Sequence, residues 1–192
     1  MRLGKFMPFV TAVGLLLSLA EASSAQTSFL AQPAIAIANF GRINDSYYRG
    51  AQPQARNYAE LAALGVKTVI DLTRGGRADE RGLVERAGMS FYRIPLTTTS
   101  QPAPEAVARF LKLVNDPANQ PVYVHCQGGR HRTGIMTAVY RLTHDGWTAD
   151  RAFAEMREFE FDKGLLVSHG TLKKFVYSYY ARLVTAVAAV GR

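Results

Sequence analysis

Residues 121–134 read Pro121-Val122-Tyr123-Val124-His125-Cys126-Gln127-Gly128-Gly129-Arg130-His131-Arg132-Thr133-Gly134, and the architecture turns on them. Pro121 to Val124 has the β-branched and aromatic character of a strand. Beyond the glycines, Ile135, Met136, Val139 and Leu142 recur at helical spacing, so the middle of the stretch is a strand-to-helix loop. Gly128 and Gly129 let the backbone bend sharply there. The N–H groups of the loop and of the first helical turn can then converge on a single anion. A phosphate fits such a nest.

The side chains suit the same ligand. Arg132, separated from Cys126 by five residues, can return a planar fork to two oxygens of one phosphate. The same donors and cations favour the Cys126 thiolate, a nucleophile held beneath an anchored phosphorus. His125 is placed to orient the loop by hydrogen bonding, and the Thr133 hydroxyl to donate to the sulfur. The expected phosphate-binding set is Gln127, Gly128, Gly129, Arg130, His131 and Arg132. Within it, Arg130 and His131 either add charge for a substrate with several phosphates, or serve as a solvated charge and a backbone hydrogen-bonding group.

Written as His-Cys-x5-Arg-Thr, the loop resembles that of the cysteine-dependent protein tyrosine and dual-specificity phosphatases. It is closest to the plant and fungal atypical members, whose loops carry a glycine, a cation and a histidine before the arginine, here Gly129, Arg130 and His131. Tyr48-Arg49-Gly50-Ala51-Gln52-Pro53 is similar to an entry stretch of such domains, and Val69-Ile70-Asp71-Leu72 to their first core strand. The resemblance covers roughly residues 40 to 180. It implies a covalent phosphocysteine intermediate that needs no metal and no other cofactor.

One part of the family pattern is missing. Relatives usually carry an aspartate general acid on a loop well before the cysteine, yet Pro95 to Pro104 contains no Asp or Glu. The substitutes are Glu105, Asp79 and Glu80, although Glu105 reads more readily as a first-turn helix charge facing water. Asp71 reads as a strand-end hydrogen-bonding residue. Without an acid, good leaving groups are favoured: a phenol has a pKa of about 10, whereas a phosphate released from a diphosphate has a second pKa near 6. Arg49, Arg74 and Arg77 are expected on loops able to rim the pocket.

Around this centre the chain alternates strands and helices. Two short strand-like pieces occupy 39–53, followed by a helix from Asn57 closed by Gly65 and a buried strand from Val66 to Leu72. A charged helix runs from Glu80 to Ala87, a strand from Ser90 to Leu96, and a helix from Pro104 to about Val114. After the loop come helices at 132–144, at 149–159 behind Thr148, and at about 171–189 with Leu172, Phe175, Val176, Tyr179, Leu183 and Val187 inward. This pattern predicts an α/β sandwich of three-layer type with a mainly parallel central sheet, and the resemblance implies the same fold.

Arg2 and Lys5, then an uncharged apolar run from Phe6 to Ala20, then Ser23-Ser24-Ala25, predict a signal peptide over 1–25. Residues 26–38 read as a loose arm and 39–192 as one phosphatase domain, in the periplasm or secreted. The apolar run is shorter than the roughly 20 residues a membrane span needs, so no stable membrane anchor is expected after cleavage. A single cysteine excludes an internal disulfide. Twenty-three basic against 15 acidic residues give a net charge of +8, scattered without basic runs, which favours anionic substrates over nucleic acid. Three functions follow: hydrolysis of phosphotyrosine-type monoesters in a phosphorylated protein, hydrolysis of inositol polyphosphates or pyrophosphates by the same nucleophile, or phosphate recognition by a pseudophosphatase.

Overall fold

The computed structural model describes residues 35–163 and the backbone of 166–190, with side chains from 170 to 189 in that second stretch. The expected signal peptide and residues 26–34 of the expected arm lie outside the described residues. Five strands form one sheet: β1 (Gly41–Asn44), β2 (Tyr47–Ala51), β3 (Thr68–Thr73), β4 (Ser90–Leu96) and β5 (Val122–Cys126), in the order β1-β2-β5-β3-β4. Only the β1–β2 pair is antiparallel; β2, β5, β3 and β4 run parallel. The helices are α1 (Asn57–Ala63), α2 (Glu80–Arg86), α3 (Pro104–Asn115), α4 (His131–Thr143), α5 (Ala149–Glu158) and α6 (Leu166–Val190).

Alternation along each strand divides the interior into two cores. Val122 and Val124 of β5, with Ile70 and Leu72 of β3, pack against Phe110, Ile135, Val139, Met156 and Phe175 from α3 to α6. Tyr123 and Val69 turn the other way, toward Tyr58 and Leu61 of α1 and Val84 of α2. Helices therefore cover both faces, and strand β5 is buried at every residue. Each fully buried aliphatic or aromatic side chain is worth about 1.5–3 kcal/mol. The sheet is thus held by its middle, where Cys126 stands.

Three expectations need correcting. Ile37 is buried and Ile35 packs beside it, while the Ala51 N–H donates to the Ala38 carbonyl, so the packed domain reaches back into the expected arm, at least to Ile35. The last helix starts five residues earlier than its periodicity suggests, at Leu166. Val187, expected inward, is 73 % exposed, because the final turns of α6 run past the core that covers Leu172, Phe175 and Val176. No described helix is long and apolar enough to cross a membrane.

Candidate active site

Because β2, β5, β3 and β4 are parallel, their carboxyl ends fall on one edge, where ligands of such sheets bind. The loops leaving those ends supply Gln52, then Arg74 to Arg77, then Thr97 to Thr99, then Gln127 to Arg132. Together they line a cleft of about 680 Å³ that includes Gln52, Arg74, Arg77, Thr98, Gln127 and Arg132. A second lobe of about 340 Å³ holds Cys126, Gly128, Arg130 and His131 and shares Thr98, Gln127 and Arg132 with the first. Among the described residues, neither lobe is lined by a carboxylate or by a Phe, Tyr or Trp side chain.

Cys126 closes β5 and is 2 % exposed, and the loop behind it leads into α4 at His131. Gly129 has φ +68, and a Cβ there would stand 2.6–2.7 Å from the backbone of Gly50 and Ala51, so only glycine fits. The carbonyls of the loop all find partners outside the nest. The Gln52 N–H donates to the Gln127 carbonyl (3.3 Å), Asn39 Nδ2 to that of Gly128 (2.8 Å), Arg49 Nη2 to that of Gly129, and the Gly134 N–H to that of Arg130 (3.1 Å). Among the described residues, the N–H groups of Gly128, Gly129 and Arg130 donate to no protein acceptor. The loop thus presents donors, together with Arg132, whose Nε is buried without a partner among the described residues.

The remaining predicted residues are placed as follows. Arg130 is drawn to Glu160 (3.0 Å), and His131 Nε2 lies 3.0 Å from the Phe161 carbonyl, so both are engaged by the turn after α5 even though they line the smaller lobe. Thr133 is buried, and its hydroxyl makes no hydrogen bond to the sulfur or to any other described group, contrary to the donor role expected of it. His125 does not hydrogen-bond the loop. Its Nε2 lies 2.9 Å from Glu80 Oε1, and Nδ1 has no partner among the described residues. The reason is position: His125 belongs to β5 and points to the face that α2 covers.

The carboxylate candidates are poorly placed to deliver a proton. Glu80 is wholly buried and accepts from Gln52 Nε2 (2.7 Å) and the Tyr58 hydroxyl (2.8 Å). Burial alone would raise its pKa, but the contacts with His125, Tyr58 and Gln52 outweigh this and hold it below the ordinary carboxylate value. Asp79 is exposed, and its hydrogen bonds from Arg77 likewise hold it low. Glu105 is exposed in the first turn of α3. Asp71 accepts from the Thr73 N–H (2.7 Å), the Thr73 hydroxyl (2.8 Å) and Arg93 Nε (2.7 Å). Asp71, Glu80 and His125 offer ligand atoms within 4.8 Å of one another, but the Arg93 guanidinium already supplies a cation there, 3.7 Å from Glu80.

Of the arginines expected at the rim, Arg74 and Arg77 line the cleft, and Arg74 is exposed with no partner among the described residues. Arg49 does not rim anything. It is wholly buried in β2, behind the loop, stacked 3.9 Å from the Phe159 ring centroid. Asn39, Gln52, Tyr58 and Arg93 are not among the site residues to which the sequence points. Their roles rest on contacts between segments distant in the chain, which spacing does not reveal.

Residues 34–173 match the family described as DSP-PTPase phosphatase fused to NAD+ kinase. The chain belongs to this phosphatase family. Among curated proteins it is 29 % identical over 142 residues to the dual specificity protein phosphatase TpbA of Pseudomonas aeruginosa, covering 74 % of this chain and 64 % of that one. It is 28 % identical over 131 residues to the inositol diphosphatase SIW14 of Saccharomyces cerevisiae, covering 65 % of this chain and 46 % of that one. The matches thus span less than two thirds of the length of these relatives. Among solved structures, the Siw14 core catalytic domain superposes with a TM-score of 0.66 at 23 % identity, covering 81 % of this chain and 93 % of that one. TpbA in complex with phosphotyrosine superposes with a TM-score of 0.61 at 25 % identity, covering 74 % and 90 %.

Proposed function

We infer that this protein is a cysteine-dependent phosphatase whose preferred substrate carries more than one phosphate, with an inositol diphosphate as the type. The Cys126 thiolate attacks phosphorus, forming a P–S bond as the P–O bond to the leaving group breaks and that oxygen keeps the electron pair. Arg132 and the loop N–H groups hold the equatorial oxygens. Water then attacks the phosphocysteine, releasing inorganic phosphate and restoring the thiolate. The observation that carries the substrate preference is the lining of the cleft. The exposed Arg74, with Arg77 beside it in an exposed pair with Asp79, suits further phosphates, and a lining that among the described residues includes no carboxylate and no Phe, Tyr or Trp suits a leaving group that departs without a proton.

Hydrolysis of phosphotyrosine is the second reading, supported by the likeness to TpbA, whose structure holds that ligand. Export through residues 1–25 belongs to the proposal as well, and fractionation of cells carrying a C-terminally tagged chain tests it. For the chemistry, wild type and Cys126→Ser are compared on an inositol diphosphate, phytate and a phosphotyrosine peptide under reducing conditions. The expected result is release that depends on Cys126 and is fastest from the diphosphate. In Arg74→Ala/Arg77→Ala, kcat/KM for the diphosphate should fall roughly 30-fold while a small aryl phosphate is spared. Preference for the peptide would establish the second reading. Binding of phosphate without turnover of any of the three would make the chain a pseudophosphatase.

A further inference from the structure

The two glycines that let the phosphate loop bend also leave its peptide planes easy to rotate. Gly128 has no atom closer than 3.9 Å to where a Cβ would be, so local packing does not fix its plane. A carbonyl turned inward would set a lone pair against the bound anion, reversing the site's polarity at that position. Something outside the loop must hold these carbonyls away. The segment from Asn39 to Gln52, far earlier in the chain, does so at Gly128 and Gly129, and its Gln52 N–H holds the neighbouring Gln127.

We propose that Asn39 and Arg49 are positioning residues that fix the anion-binding face of the phosphate loop by holding the Gly128 and Gly129 carbonyls outward. This rests on the reading of the loop as the phosphate site, and it adds the parts that keep that site in working shape. Asn39 is itself built for the task. It has φ 54, a left-handed conformation that asparagine tolerates better than most residues, and that turn aims Nδ2 at the Gly128 carbonyl. Arg49 is wholly buried yet forms no ion pair among the described residues, and its Nε and Nη1 have no hydrogen-bond partner there. Tyr47, Glu155, Cys126 and Tyr123 lie within electrostatic reach, but Glu155 is taken up by Arg141 at 2.5 Å and the other three make no hydrogen bond to Arg49. Burial lowers the Arg49 pKa to about 10, so the guanidinium is charged at neutral pH. A dianion seated in the loop would add to the negative charge that Cys126 offers that guanidinium.

The test separates holding the loop from holding the fold. Tungstate and inorganic phosphate affinities are measured by calorimetry on the full chain in a Cys126→Ser background, so no turnover is needed. Asn39→Gly keeps the left-handed backbone without strain and removes only the donor. It should weaken oxyanion binding roughly fivefold, the worth of about one hydrogen bond, with the melting temperature unchanged. Arg49→Met should weaken binding more, and Arg49→Lys, which keeps a charge and a donor, should recover part of the loss. Unchanged affinity in Asn39→Gly, or equal losses in Arg49→Lys and Arg49→Met, would overturn the proposal. If Arg49→Met does not fold, Asn39→Gly and Arg49→Lys decide. Loss of anion affinity in a chain that hydrolyses nothing would leave this inference standing while sinking the proposed catalysis.

Discussion

Two charged side chains are buried behind the phosphate loop, and the fold treats them in opposite ways. Glu80 is surrounded by Gln52, Tyr58, His125 and Arg93, which tie α1, α2, β4 and β5 together through one carboxylate. Arg49 has a single carbonyl and an aromatic ring, with Cys126 in electrostatic reach and no carboxylate partner among the described residues. Pairing of the first kind stabilises the domain whatever is bound. The second arrangement sets a sparsely paired cation behind the loop, where Cys126 and a bound oxyanion would both be drawn to it.

The sharpest break of that contrast is Glu80→Gln. It removes a buried charge while leaving Arg93 and His125 in place, and should cost about 3 kcal/mol in urea denaturation with little effect on the tungstate affinity of the folded fraction. Arg49→Lys should show the reverse balance, and parallel losses in both variants would erase the distinction. A smaller effect comes from pH. Glu80 has a lower pKa folded than unfolded, so its contribution is complete above the unfolded value of about 4.3 and is lost as pH falls through the folded value. Wild type should therefore lose stability through acid faster than Glu80→Gln, as followed by circular dichroism, and equal slopes would remove the carboxylate from the account. The control lies on the stripped end of α6, where Val187→Asp should change stability by less than about 0.5 kcal/mol.

Where the sequence was a good guide, the signal was local. A β-branched strand, two glycines and a helical apolar spacing place Cys126 at a strand end, and α4 falls within one residue and β5 within two of the expected bounds. Parallel pairing followed from alternation of elements. Periodicity failed at Val187 because it reports which residues share a face and not how far the neighbouring core extends. Arg49 was misplaced because its motif reads as a loop, while the β2–β5 pairing that buries it joins segments far apart in the chain. The same distance hid Asn39 and Arg93. Thr133 and His125 were assigned partners that adjacency permits, and α2 supplies His125 with a different one.

The order of strands gives the loop a history as well as a shape. Strand β5 is the last in the chain and sits third in the sheet, between β2 and β3. Its docking closes two long loops of chain, a slow kind of contact to form. The residues that brace the loop are made early, and the loop itself late. During refolding, oxyanion binding should therefore return only when the sheet closes and not with the first helices, so tungstate protection becomes a clock for the last assembly step.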